Sequence, residues 1–371
     1  MTQLVLITGG AGFIGSHVAD ELVTAGYSVR ALDNLAEQVH GQDSARPPYL
    51  NPAVELVVGD LRTTEVVRDA LAGVDAVLHL ASAVGVGQSM YEVTRYMSVN
   101  SLGTSVLFEV LVDRPVRRLV VASSMSVYGE GLYRTHAGGA FENATRNLAA
   151  LRRGEWEPVD DDGQDLIPVP TPEWKRPALE SVYALSKFDQ ERLCLVLGRA
   201  YGISTVALRL FNVYGPRQAL SNPYTGVLAI FASRLLNGRS PSVFEDGLQR
   251  RDFVSVADVA RAFRLALESD ADGEVLNIGS GESCTVRQVA EVLAGALGRE
   301  FIEPEISGRH RIGDIRHCFA DIAHARTVLG YEPKVGFRDG VTELAGWLAS
   351  QSAVDRVDQA TAELVERGLK V

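Results

Sequence analysis

The sequence predicts an α/β protein in which a doubly wound parallel sheet carries a smaller, interleaved C-terminal domain. Three observations point there. Short apolar runs of strand length alternate with segments of helical spacing through residues 4–211. A glycine-rich loop joins the first run to the first helix. Beyond Asn212, Pro216, Pro223 and Pro241 interrupt the alternation. The expected division is a sheet domain of residues 1–211 plus about 251–276, and a second domain of residues 212–250 and 277–350. Residues 351–371 are expected to form a terminal helix, because Val354, Val357, Thr361 and Leu364 fall at helical spacing among charges.

The first strand, residues 4–7, is apolar throughout, as in a strand covered on both faces. Gly9, Gly10, Gly12 and Gly15 follow, and helical spacing starts at Phe13. Glycine suits a tight turn whose backbone must approach a pyrophosphate, and the next helix offers its free N–H groups to the phosphates. The second strand, residues 28–32, ends in Asp33, where a carboxylate can accept hydrogen bonds from a ribose diol and would repel a 2′-phosphate. That favours NAD over NADP.

Residues 54–58 read as the third strand, ending in Gly59, Asp60 and Leu61. Asp60 is placed either to take an adenine amine or to cap a helix over residues 63–71. The fourth strand is residues 76–81, and His79 inside it reads as a satisfied core histidine. One long helix is expected over residues 92–111, then a fifth strand at 118–122. Residues 130–180, rich in Gly, Pro and charge, break the pattern; structureless stretches of that length are lids, interface arms or disordered. A helix over 183–200 and a strand over 204–210 resume it.

Composition narrows the function. Of 371 residues, 46% are hydrophobic and 22% charged, as in an ordinary soluble protein. A formal charge of −11 argues against nucleic acid or an anionic membrane as a general partner. No apolar run reaches a membrane span, and no basic region precedes the first strand as in a signal peptide. Cys194, Cys284 and Cys318 are widely spaced and odd in number, which suits free thiols in a reducing cytoplasm.

Tyr183 and Lys187 lie four apart at a helix start and so share a face. A phenol with an ordinary pKa near 10 is a poor base at neutral pH, and a shift of roughly three pH units needs about 4 kcal/mol of electrostatic help. A neighbouring ammonium and a cationic nicotinamide both act in that direction. Ser123 and Ser124 close the fifth strand at the edge where a ligand should lie, and a hydroxyl there can hydrogen-bond a reacting oxygen.

Together, ITGGAGFIGSH, LDN at 32–34, GDL at 59–61, HLA at 79–81, SSMSVYG at 123–129, YALSK at 183–187 and FNVYGPRQ at 211–218 resemble the extended short-chain dehydrogenase/reductase family. RDFVSVADVARA at 251–262, RIGDIRHCFAD at 311–321 and LGYEP at 329–333 add to the likeness, which runs from about residue 3 to 345 and points to the nucleotide-sugar epimerase/dehydratase branch. It implies a Rossmann-type NAD site made by Gly9, Gly12, Phe13, Ile14, Gly15, Asp33, Asn34, Asp60, Leu61, Leu80, Ala81, Ser82, Asn100 and Ser123. Tyr183 and Lys187 complete that site. The likeness also implies Tyr183 as general base, Lys187 as its partner, and Ser124 as the hydroxyl that steadies the sugar O4. A nucleotide-diphosphate sugar would meet Val86, Ser89, Ser124, Ser126, Asn212, Val227 and Phe244. Arg251 and Arg311 would grip its phosphates, unless Arg251 instead pairs with Asp252 or Asp258.

The same resemblance narrows the reaction. The 4,6-dehydratases of this branch carry Thr-Asp-Glu where Ser124, Met125 and Ser126 stand, and the decarboxylases carry a Glu at the Ser126 position. What remains is hydride transfer at one carbon, either as a 4-epimerase that recycles its NAD or as a 4-dehydrogenase or ketoreductase that exchanges it. A non-catalytic NAD-binding module is a third possibility, weighed against by intact Ser124, Tyr183 and Lys187. The insert, with residues 219–237, resembles a subgroup acting on dTDP-6-deoxy sugars that includes dTDP-L-rhamnose 4-epimerases. Insert cysteines present in relatives are missing, and His136 with Asp160, Asp161 and Asp162 lacks metal-site spacing, so no structural zinc is expected. Helices 92–111 and 183–200 pair in many relatives, so a homodimer is expected.

Overall fold

The computed structural model describes residues 3–41, 45–220, 222, 224, 226–310, 313–351, 355 and 357–369. Seven strands form one parallel sheet: β1 (Leu4–Thr8), β2 (Ser28–Asp33), β3 (Glu55–Val58), β4 (Ala76–His79), β5 (Arg118–Ser124), β6 (Ser204–Leu210) and β7 (Glu274–Ile278). Their order is β7-β6-β5-β4-β1-β2-β3. Strand side chains alternate between the faces. Val5, Ile7, Leu78 and Val120 enter one core with α1 (Phe13–Thr24). Leu6, Val77, Leu119 and Val121 enter the other, under α2 (Thr64–Ala70) and α3 (Gly103–Asp113). All seven residues of β5 are buried, and its centre, residues 119–122, reads as an apolar run. The doubly wound sheet is as the sequence predicts.

β7 had no counterpart in the sequence reading. Its Asn277 is fully buried yet polar, and it breaks the apolar run. The amide is consumed internally: Tyr128 Oη donates to Oδ1 (2.7 Å), while Nδ2 donates to the carbonyls of Thr171 (2.9 Å) and Asp321 (3.1 Å).

The helix expected over 92–111 is instead three pieces: Val93–Tyr96, a π-helical stretch Met97–Leu102, and α3. The wide turn sets Asn100 to serve as a brace. Its Oδ1 accepts from Ala83 N (2.7 Å) and its Nδ2 donates to Ala83 O (3.1 Å) and Ser186 Oγ (2.9 Å). Helix α4 (Val182–Tyr201) runs beside it, started by Ser181 Oγ accepting from Ala184 N and stopped by Gly202 in the left-handed conformation.

Residues 130–180 are not structureless. Leu132–Arg134 pairs antiparallel with both Ala140–Phe141 and Ile167–Val169, over a small core of Tyr133, Ala144 and Leu166. Strands of two or three residues are too short for a periodic signal, and buried ion pairs supply much of the anchoring. A third core gathers Tyr214, Phe253 and Val243 with α5 (Val227–Leu236), α7 (Val286–Ala296) and α8 (Phe337–Leu348); α6 (Val256–Glu268) returns to pack on α1 beside the large sheet. The terminal helix is α9 (Val357–Glu366); Val354, one of the residues that suggested it, lies outside the described residues.

Candidate active site

A cleft of ≈ 620 Å³ opens at the carboxyl ends of the strands. Its walls include Gly9, Gly12, Phe13, Ile14, Gly15, Asp33, Asn34, Asp60, Leu61, Leu80, Ala81 and Ser82. Ser123, Ser124, Tyr183, Lys187, Asn212 and Val227 line it too, so most of the residues expected from sequence meet in one place.

The glycine loop has no room for side chains. A Cβ on Gly15 would lie 2.2 Å from Gly9 O, and one on Gly9, whose φ is +70°, would lie 2.9 Å from the Ala81 backbone. Gly12 begins α1 with no side-chain cap, which leaves the first turn facing the cleft. Asp33 fixes the loop while lining the cleft: its carboxylate accepts from Ala11 N (3.0 Å) and Leu35 N (3.0 Å). The cradle therefore fits a dinucleotide pyrophosphate with a ribose beyond it. Asp60 does not cap α2, whose N-cap Thr63 makes no side-chain bond. Its carboxylate accepts from Arg62 N (2.9 Å), Nε (2.9 Å) and Nη2 (2.6 Å), which hold it down at about 2.

At the other end, Tyr183 and Ser124 line the cleft together. Ser124 Oγ accepts from Ser126 N (3.2 Å) and Ser126 Oγ (2.9 Å). Burial pushes the Tyr183 phenol up, and the neighbouring Ser124 only partly opposes it. Lys187 is not among the groups that shift the phenol, so the expected lowering is absent. Lys187 Nζ donates to Gln190 Oε1 (2.7 Å), and burial lowers the ammonium to about 8. Gln190 Nε2 continues to Thr104 Oγ1 (3.0 Å) and His79 Nε2 (3.2 Å), and Thr8 Oγ1 meets His79 Nδ1 (2.7 Å). His79 is a core histidine with both nitrogens engaged, held neutral because burial lowers it to about 3.

Several expected contacts stand behind the cleft wall. Asn100 is the brace described above. Ser89 Oγ donates to Val86 O (2.6 Å) and accepts from Tyr183 N (3.0 Å), so Val86 and Ser89 seat the start of α4. Ser126 orients Ser124. Phe244 is half-buried on the third core's loop, outside the cleft lining. Arg251 Nη1 donates to Arg316 O (2.8 Å) and Arg250 O (3.0 Å), Nη2 donates to Ile315 O, and Asp314 is 3.8 Å away. Neither Asp252, which accepts from Ser280 and Gly281, nor Asp258, which pairs with Arg261, is its partner. Arg311 lies outside the described residues.

Sequence reasoning missed His40, Arg62, Arg95, Gln218, Asn222 and Phe253, all on the cleft wall. Gln218 and Asn222 sit inside motifs already singled out, so adjacency was the available signal. Gln218 is 8% exposed and its Oε1 has no hydrogen-bond partner among the described residues.

The insert reaches the loops around Arg251 through buried charges. Arg146 pairs with Glu130 (3.1 Å) and Glu245 (2.5 Å); Arg316 pairs with Glu157 (2.5 Å), Asp246 (2.6 Å) and Glu245 (3.0 Å). Burial alone would raise Glu157, but hydrogen bonds from His317 and Arg316 hold it at about 2. Among the described residues no group of three or more His, Cys, Asp or Glu is arranged to hold a metal ion, and no helix is long and apolar enough to cross a membrane.

Comparison with known proteins agrees with this geometry. The family model "NAD dependent epimerase/dehydratase family" matches residues 5–148 and 161–279. A dTDP-L-rhamnose 4-epimerase of Burkholderia thailandensis is 34% identical over 353 residues, covering 94% of this chain and 95% of that one. A putative UDP-glucose 4-epimerase of Methanocaldococcus jannaschii is 31% identical, covering 94% and 99%. Among solved structures, the UDP-glucose 4-epimerase of Thermotoga maritima with UDP-glucose superposes with a TM-score of 0.76 at 32% identity, covering 94% and 99%. The UDP-glucose 4-epimerase of Thermus thermophilus in complex with NAD gives 0.75 at 32%, covering 94% and 99%. With its glycine cradle, its Asp33 and its Ser124–Tyr183–Lys187 cluster in one cleft, the chain belongs to the NAD-dependent epimerase/dehydratase family and is an enzyme that uses NAD.

Proposed function

We propose that this enzyme is a nucleotide-sugar 4-epimerase, that its substrate is a dTDP-6-deoxyhexose such as dTDP-L-rhamnose, and that it works through a transient 4-keto sugar. The observation that carries this reading is that Ser124 and Tyr183 line one cleft, with Met125 next to Ser124 where elimination chemistry would need an acid. The likeness to the Burkholderia enzyme supports the choice of sugar. When bound, NAD supplies the acceptor and donor of hydride at C4. The protein's share is proton handling: Tyr183 Oη takes the O4 proton and returns it, so no net proton is consumed. Ser124 Oγ, oriented by Ser126, supports O4 as its charge develops. Lys187 keeps positive charge at the base of the cleft, where it favours the phenolate.

A homodimer through α4 and the 93–113 helical stretch is part of the proposal. Leu185 and Val196, eleven residues apart on one face of α4, are 45% and 54% exposed, and Leu102 is 53% exposed on the neighbouring stretch. Three unpaired thiols suit a reducing compartment such as the cytoplasm.

The test is mass spectrometry with chromatography on dTDP-L-rhamnose, incubated with enzyme as purified and no added cofactor. An isomer of unchanged mass is expected. A product two hydrogens lighter that forms only with added NAD⁺ would make the enzyme a 4-dehydrogenase instead.

A further inference from the structure

Segment 218–226 supplies Gln218, Ala219, Asn222 and Gly226 to the cleft wall, yet its described residues contain no helix or strand. Something other than regular structure must hold it. Tyr224 is the point of attachment. Its backbone lies over Gly85, whose φ is +137°; a Cβ at Gly85 would come within 3.1 Å of Tyr224 Cβ and 3.2 Å of Tyr224 O. Its N–H donates to Asn222 Oδ1 (3.1 Å), which also accepts from Gln38 Nε2 (3.1 Å). Gln38 Nε2 bridges onward to Gln88 Oε1 (3.0 Å), which accepts from Tyr96 Oη (3.2 Å), and the Tyr96 ring meets Tyr183 edge-on at 6.3 Å. The wall segment is thus connected to the residue that carries the proton chemistry.

The outer end of this chain is fixed from α9. Glu363 accepts from Tyr224 Oη (2.6 Å) and from Tyr91 Oη (3.2 Å), and Tyr91 Oη lies 2.8 Å from Tyr224 Oη. The Arg367 guanidinium sits 4.4 Å from the centroid of the Tyr91 ring. At the opposite end of α9, Asp358 pairs with Arg234 (2.6 Å) and Arg239 (3.0 Å), both on or just after α5. Helix α9 is therefore anchored at one end to α5, whose own first residue lines the cleft, and at the other end to Tyr224 and Tyr91. These two tyrosines lie far apart in the sequence and meet at their own hydrogen bond. A carboxylate that gathers two phenols from separate loops at the end of a helix anchored elsewhere works as a clasp.

We infer that Glu363 is a positioning residue: through Tyr91 it clasps Tyr224, and with it Asn222 on the cleft wall, to loop 82–91 and so sets the wall that meets the sugar nucleotide. The inference rests on the reading of this cleft as the sugar-nucleotide site, but its first test needs no substrate. In full-length Glu363→Ala, hydrogen–deuterium exchange at amides 224, 226–228 and 85–91 should be roughly tenfold faster, the equilibrium cost of one charge-assisted hydrogen bond, while β1, β4 and β5 keep wild-type rates. Glu363→Gln, which keeps an acceptor oxygen at the same reach, should restore most of the protection. On whichever sugar nucleotide the wild type converts, Glu363→Ala should raise KM by about tenfold and change kcat by less than about twofold, a split that a loss of folded protein does not produce. Unchanged exchange at 224 and 226–228, or faster exchange that includes the central strands, would overturn the clasp. If the wild type converts no sugar nucleotide, the proposed reaction fails while the exchange result still decides the clasp.

Discussion

Lys187 gives the site a measurable electrostatic cost. The side chain is 2% exposed, and its only hydrogen-bond acceptor among the described contacts is the neutral amide oxygen of Gln190 at 2.7 Å. Burial lowers it from 10.5 to about 8, which corresponds to about 3 kcal/mol against the charged form. The folded-state value lies below the unfolded one, so folding expels a proton. The penalty is fully present below pH 8 and fades as pH rises from about 8 to 10.5. Replacing Lys187 by Met removes the charge at the expense of one hydrogen bond to Gln190, which returns roughly 1 kcal/mol. Lys187→Met is therefore expected to be about 2 kcal/mol more stable than wild type at pH 7 and nearly equal to it by pH 9.5. It should also be inactive. Urea unfolding of NAD-free protein at the two pH values measures this directly. A variant less stable than wild type at pH 7, or a difference that does not shrink with pH, would falsify the account of Lys187 as a buried cation without a hydrogen-bonded counter-ion.

Other outcomes follow from the same geometry. Tyr183→Phe keeps the ring but removes the proton carrier, so turnover should fall by about 10³-fold while NAD binding, followed by fluorescence titration, persists. Gly15→Ala places a methyl 2.2 Å from Gly9 O, so purified protein should lose its NAD and bind added NAD at least about tenfold more weakly by calorimetry. Arg316→Met leaves Glu245 and Glu157 short of a buried partner; a loss of about 3 kcal/mol in denaturant unfolding is expected, with the insert exposed first to limited proteolysis. Elemental analysis of the purified protein should find no stoichiometric zinc.

The sheet was legible because its central strands are buried on both faces and carry apolar cores, residues 4–7 in β1, 76–78 in β4 and 119–122 in β5. Legibility failed where a polar residue does structural work inside. Asn277 hid β7 by being a buried amide in a five-residue strand, and Asn100 hid the π-helical stretch because nothing in its spacing says that its side chain turns back to Ala83. In the site, the residues that must be glycine, aspartate, serine or tyrosine for chemical reasons could be read directly. The wall residues could not: Gln218 and Asn222 are placed by a segment without periodicity, and their neighbours Gln38 and Gln88 come from distant parts of the chain. The insert failed for a third reason, since its anchors are the charges of Arg146, Glu157 and Glu130, which a sequence presents as surface polarity until their partners are known.

The arrangement around Lys187 also explains why a carboxylate is kept one position away. Gln190 and Glu191 are adjacent in α4, so about 100° of helical turn separates them. The amide faces Lys187, and the carboxylate faces Arg209, which it holds through two contacts of 2.9 and 2.7 Å, and Ser123, which donates at 2.6 Å. With the two residues exchanged, a carboxylate would pair with the ammonium, raise its pKa and cancel its field at the phenol. With the observed order, the cation at the base of the cleft is backed by a neutral amide and a neutral His79. In the reaction proposed above, the cation's positive potential would favour the phenolate of Tyr183.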